Sequence, residues 1–326
     1  MAENLVTPEA LKQSSPRPNF GQRLLLWLRG NPVMVKELRS RMRGRRAFLI
    51  LTLYLLALAL MVGLVYFLYL SSINRSPAAL TNTRQLIGKV VFAVVVGMQL
   101  VGITFIAPAL TSGAISGERD RQTLDLLQTT LLPARSLALG KFSSALVFML
   151  LLLLAALPLE SLAFLFGGVA PEEVAIGTLL LIVTTINFCA VGLFFSGLMK
   201  STLASTVLGY AFPILTIFGL PMMALILSGF FGPLISGSFN NNLSPGTEQA
   251  LLLLGWSLVS IHPIATAVAS EALLLDQHTL FSYQQTLRNG ASVTLISPWI
   301  PYTIINLLFS AVLIYFAIRF VRRRAR

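Results

Sequence analysis

The strongest constraint on this chain is the run from Ala47 to Leu70, 24 consecutive residues without a charge. As a helix it would extend about 36 Å, more than the roughly 30 Å hydrocarbon core of a bilayer. Similar runs recur at about 86–115, 142–168, 174–199, 202–231 and 299–320. A chain that is 56% hydrophobic and only 11% charged, with mean hydropathy +0.80, does not read as a soluble globular domain. The expected fold class is therefore all-α: a polytopic membrane protein with six transmembrane helices over 47–320.

The segments between and around these runs set an orientation. Residues 1–19 contain Pro8, Pro16 and Pro18 and little apolar content, and read as a flexible cytosolic tail with no signal-peptide h-region. Residues 20–46 combine an apolar stripe and Trp27 with Lys36, Arg39, Arg41, Arg43, Arg45 and Arg46. That pattern predicts a basic interfacial helix anchored among lipid headgroups. The net charge of +12 is concentrated at the ends and in one loop, so membrane lipids, not nucleic acid, are the expected partners. Segments 1–46, 113–141, 199–201 and 319–326 carry 20 of the 24 Lys and Arg residues, and the intervening loops carry Arg75, Arg84 and Arg288. The positive-inside rule then places both termini, including the basic tail 321–326, in the cytoplasm of a multi-pass cell-membrane protein. The uncharged stretch 251–270 also contains His262, Pro263 and several Ser and Thr. A seventh crossing there would send the basic tail outside. It is expected to dip into the outer leaflet and return, or to pack against the bundle.

One polar island stands between the second and third spans. Glu118, Arg119, Asp120, Arg121 and Asp125 place five charges in eight residues. A helix over 117–133 is predicted, with Ser116 as N-cap, acidic residues in the first turn and Pro133 as the stop. On it Leu124, Leu127 and Leu131 share one face, Glu118, Arg121, Gln122 and Asp125 another, and Leu126 lies apart from the leucine face. A short two-faced helix at a membrane edge is a handle for a cytosolic partner, although an ordinary solvated loop helix has the same pattern.

The run ISGERDRQTLDLLQTTLLPARSLALGK, residues 115–141, resembles the cytoplasmic loop after the second span of ABC-2-type transporter permeases. The matching positions are Gly117, Glu118, Thr123, Leu124, Asp125, Leu126, Leu127, Pro133 and Lys141, and Gln122 stands where a Gly is common in that family. The run NPVMVKELRSRMRGRR, residues 31–46, resembles the family's opening segment. The resemblance implies a permease subunit, an exporter by expectation, that pairs with a second permease subunit and is driven by a separate ABC ATPase. It also implies that 117–133 is the coupling helix, with Glu118, Arg119, Arg121, Leu124, Asp125, Leu126, Leu127 and Pro133 at or near the ATPase contact.

Other chemistry is sparse. No phosphate loop occurs, because Gly140-Lys141 is followed by Phe142 and Gly88-Lys89 by Val90, so ATP and Mg are expected on the partner and no cofactor on this chain. His262 and His278 are 16 residues apart with the single Cys189 far away, which is not a metal-site spacing. Glu172 and Glu173 read as a solvated turn, and Glu160 as an interfacial or loop-facing residue near the end of its span. Gln99, Thr104, Thr184 and Asn187 are the uncharged polar groups at depth, and are candidates for lining a pathway. The absence of mid-membrane charge argues for energy supplied by contact with a partner. A non-transporting membrane scaffold and an ATP-independent channel or carrier are the alternative readings. In a Cys189→Ala background, cysteines at positions 246 and 277 are expected to react with an impermeant reagent on intact cells. Reaction at 277 only after lysis would overturn the six-span topology.

Overall fold

The structure, a computed structural model, describes residues 32–73, 80–123, 134–223, 225–226, 245–277, 279–286 and 292–323. The tail 1–19, the first part of the basic segment and residues 124–133 and 324–326 lie outside the described residues. Helix α1, Pro32–Met42, precedes the long helices α2, Arg45–Ile73, and α3, Leu80–Thr111. A short helix α4, Ser116–Asp120, continues from α3. Then come α5, Ala134–Phe166, α6, Pro171–Leu198, and α7, Thr202–Ile214, which runs into a π turn over Leu215–Gly219. Helices α8, Pro245–Val259, and α9, Pro263–Gln277, lead through β1, Ser282–Thr286, and β2, Ser292–Ile296, to α10, Trp299–Arg323.

Six helices are long and apolar enough to cross a membrane: Ala47–Ser71, Leu86–Asp120, Ala134–Phe166, Pro171–Leu198, Thr202–Met223 and Trp299–Arg322. All six expected spans are present. The third begins eight residues before the expected Phe142, because Ala134-Arg-Ser-Leu-Ala-Leu-Gly-Lys141 has no helix breaker after Pro133. Lys141 therefore sits in the second turn of α5, inside the fold. Leu252–Val259 and Pro263–Leu275 form a pair bent by 114°, the geometry of a broken span or of a re-entrant turn. The antiparallel pairing of Ser282–Thr286 with Ser292–Ile296 was not anticipated; each strand is only five residues long and forms through its partner.

Helix α6 is the central element. In its most apolar stretch 61% is buried, against 11% in α2, and it packs on α10, α3, α7, α5 and α9. Thr184 Oγ1 and Tyr302 OH are 2.7 Å apart, and Asn187 Nδ2 donates to Asn306 Oδ1 at 2.7 Å, so uncharged polar groups join α6 to α10. Such pairs in an apolar bundle contribute about 0.6–2 kcal/mol each. Gly88 allows α3 to lie against the end of α5: a Cβ there would sit 1.8 Å from the Gly167 carbonyl oxygen. Helix α2 instead presents Phe48, Leu60 and Phe67 outward, 65–72% exposed, as a lipid-facing helix would.

The proline-rich fifth span shows how a break is stabilised. Leu220 N–H bonds the Leu215 carbonyl in the π turn, and the next such bond, to Thr216, would require a donor on Pro221, which has none. His262 Nε2 lies 3.0 Å from that Thr216 carbonyl, while Ala265 N–H donates to His262 Nδ1 at 3.2 Å. The second bond requires Nδ1 to be the acceptor, so Nε2 carries the proton and donates. His262 thus ties the bend between α8 and α9 to the π turn. His262→Ala should leave the carbonyl unsatisfied and destabilise the protein by about 1–3 kcal/mol, read as a lowered midpoint of thermal unfolding in detergent; an unchanged midpoint would refute the role.

Candidate functional site

The site is the end of the second span and the elements that hold it. Pro108 cannot donate to Thr104 and loosens the last turns of α3. Thr111 Oγ1 bonds the Ala107 carbonyl at 2.8 Å and Ser112 Oγ the Pro108 carbonyl at 2.7 Å, so side chains compete for the helical carbonyls here. The chain passes through turns at 112–115 and re-forms as α4. Ile115 is the N-cap of this short helix, not Ser116 as expected; Ser116 is fully buried instead. Ser196 Oγ of α6 accepts from Ile115 N–H at 2.8 Å and Ser116 N–H at 3.0 Å, which satisfies two donors that the helix start leaves free. Gly192 permits this approach, since a Cβ there would lie 2.0 Å from Thr111 Oγ1.

The charged residues of α4 face three different neighbours. Glu118 Oε1 accepts from Lys141 Nζ at 2.8 Å, and Glu37 Oε1 of α1 accepts from the same ammonium at 3.0 Å. The Lys141 side chain is only 7% exposed, so its charge lies within the fold between two carboxylates. Arg41 stands 3.9 Å from Glu37 and donates through Nη2 to the Leu110 carbonyl at 2.9 Å, closing the network on the end of α3. Burial lowers the pKa of Arg41 and the Glu37 carboxylate opposes that shift. Arg119 Nη1 donates to the Met199 carbonyl at the end of α6. Asp120 Oδ2 accepts from Thr202 N–H at 3.0 Å and places its negative charge at the N-terminus of α7. Arg121 and Gln122 are exposed.

These positions revise the expected geometry. A continuous helix over 117–133 does not form: α4 ends at Asp120, Arg121 caps it, and Gln122 has φ +57°. A left-handed residue reverses the chain, and for a residue with a Cβ it costs roughly 1–2 kcal/mol. Gln122 occupies the conformation that the glycine common in the resembled family adopts freely. Glu118 was expected on an outward face with Arg121 and Asp125, but it points to Lys141. Leu124, Asp125, Leu126, Leu127, Leu131 and Pro133 lie outside the described residues. In the basic segment, α1 ends at Met42 and Arg45 and Arg46 begin the first span, so 20–46 is not one helix. Lys36, Arg39, Arg43 and Arg45 are exposed, whereas Arg41 turns inward. Arg135, Arg319 and Arg322 line a groove between α5 and α10, adding positive charge to the same end of the bundle.

The candidate pathway residues serve the bundle interior. Gln99 Nε2 donates to Glu160 Oε1 at 2.5 Å, and both residues are buried. Glu160 is therefore not loop-facing: Pro158 lies inside α5 without ending it, and the helix continues to Phe166 with Glu160 turned toward α3. Thr104 Oγ1 bonds its own helix at Leu100. Thr184 borders a cavity between α3, α6 and α9. Sequence reasoning missed Glu37, Ser196 and Thr202. Glu37 carried a signal, as the lone carboxylate in a strongly basic segment, i−4 from Arg41. The other two are common residue types whose roles arise from long-range contacts.

The chain thus combines six crossing helices, a polar knot at the end of the second span and basic residues gathered at that end. Comparison with protein families matches ABC-2 family transporter protein over residues 32–320. The chain belongs to the ABC-2 family. Comparison with curated proteins finds no match. Family membership makes the chain a permease subunit of an ABC transporter, the membrane component of a system that includes an ABC ATPase subunit. Within this ABC-2 permease the knot makes a quantitative prediction. Removing one member of a buried ion pair typically costs ~3–5 kcal/mol. Glu37 and Glu118 retain 26% and 27% exposure, so Lys141→Gln should cost less, about 2–3 kcal/mol. Glu118→Gln combined with Lys141→Gln should cost at least ~1 kcal/mol less than the sum of the single changes. Additive losses in thermal unfolding would show that the pair does not interact.

Proposed function

We propose that this permease subunit couples ATP hydrolysis by a separate ATPase to export, through the 113–141 segment, with the Glu37–Lys141–Glu118 knot as the transmitting element. The observation that carries the reading is the division of labour within one short stretch. Glu118, Arg119 and Asp120 are bound to α5, α6 and α7, while Arg121 and Gln122 are exposed and lead into Leu124–Pro133. A partner that grips the distal part therefore pulls on three spans at once. In this reading ATP and Mg are bound by the ATPase, two permease subunits form the pathway, and both termini are cytoplasmic. Closure of the ATPase dimer moves the segment, and the bundle shifts between two discrete packings.

The roles of the two halves separate by mutation. Arg121→Glu with Leu126→Ala reverses a charge and removes an apolar anchor in the gripped part. A Leu side chain buried by a partner contributes about 1.5–3 kcal/mol, so the double variant should bind the co-expressed ATPase at least tenfold more weakly. Lys141→Gln should retain the ATPase yet lose most transport relative to ATP turnover in proteoliposomes. Full transport by both variants would overturn the proposal. Retained ATPase binding by the first variant with transport lost would place docking elsewhere.

A further inference from the structure

At the end of the bundle opposite the knot, helices α3, α6 and α9 enclose a pocket of about 220 Å³. Val96 and Leu100 form one wall, Gly177 and Leu181 the back, and Ile264 and Val268 the other wall. Along α6 it reaches from Glu173 to Thr184, roughly 16 Å. The wall is almost wholly carbon, and the charged groups are confined to its mouth, where Glu173 and Glu271 border it. A second cleft of about 530 Å³ continues past Leu274 and Leu280 and is bordered by Glu172 and again by Glu173.

Glu173 is 92% buried by its 8% relative exposure, and its Oε2 has no hydrogen-bond partner. None of the three carboxylates forms an ion pair among the described residues. Among the described residues Lys89 is the cation whose field reaches Glu173, and Glu172 and Glu271 oppose it, so the described side chains at the mouth sum to a negative formal charge. A buried carboxylate oxygen without a partner is costly, and a cation is the group that would satisfy it. The slot behind it complements a hydrocarbon chain. Phospholipid tails could enter the slot, but their phosphates would meet three carboxylates.

From this arrangement we infer a binding site for amphiphilic cations, with the ammonium group at Glu173 and Glu271 and the hydrocarbon tail between α3 and α9. The site belongs to the chain alone and is independent of the coupling proposal, so either can fail without the other.

The test uses the full chain in phosphatidylcholine nanodiscs, titrated calorimetrically with decylammonium, neutral decanol and anionic decyl sulfate, with empty discs subtracted. Saturable binding of the cation is expected, at least tenfold tighter than that of either other amphiphile. Glu173→Gln with Glu271→Gln should weaken the cation at least tenfold and leave decanol unchanged. Glu271→Gln alone, at a half-buried position that the fold tolerates, should weaken it severalfold, which guards against misfolding of the double variant. Equal affinity of parent and variants for the cation, equal binding of all three amphiphiles, or no saturable signal above empty discs would each overturn the assignment.

Discussion

A buried ammonium group is stable only where opposite charge reaches it, and Lys141 meets that condition with two carboxylates from two other parts of the chain. Glu37 comes from the helix before the first span and Glu118 from the short helix after the second. Satisfying one side chain therefore fixes α1, α4 and α5 relative to one another. Arg41 extends the constraint to the last carbonyls of α3. Arg119 and Asp120 carry it to α6 and α7. The charged contacts of Glu37, Arg41, Glu118 and Lys141 thus form one connected arrangement at this end of the bundle.

The contacts between α6 and α10, and those at the π turn, are made by neutral groups. Thr184 with Tyr302 and Asn187 with Asn306 join α6 to α10, and His262 supplies the donor that Pro221 lacks. Neutral pairs make small individual contributions and re-form at little cost, so helices joined this way can slide or rock. The charged knot is different. Breaking it exposes three ionised groups to a poor solvent, so it moves as a unit or not at all. A rigid, charged grip at one end of a bundle joined elsewhere by replaceable contacts suits an element that transmits force from a soluble partner.

Gln122 shows how one residue shapes the site. Its left-handed φ of +57° interrupts the helix two residues after Asp120, the last of the three anchored residues. Without that turn, Glu118, Arg121 and Asp125 would share a face, as helical periodicity predicts. In the structure Glu118 is bound to Lys141 and Arg121 is exposed.

The six spans, an interruption within 251–270 and the exposure of Lys36, Arg39, Arg43 and Arg45 were legible in the sequence. Each depends on local composition: a run of apolar residues must span, a proline must break, and surplus charge must stay near water. The motif residues of the 115–141 run were legible as well, and the family match over 32–320 agrees with them. What the local pattern did not contain was direction. Whether Glu118 faces a partner protein or Lys141, whether Arg41 anchors in headgroups or caps α3, and whether Glu160 is solvated or bonded to Gln99 all depend on residues 23 to 104 positions away. Helical periodicity states which side chains share a face, but only the packing of the spans decides what that face meets. For a charged group in an apolar bundle, that encounter carries nearly all of its energy.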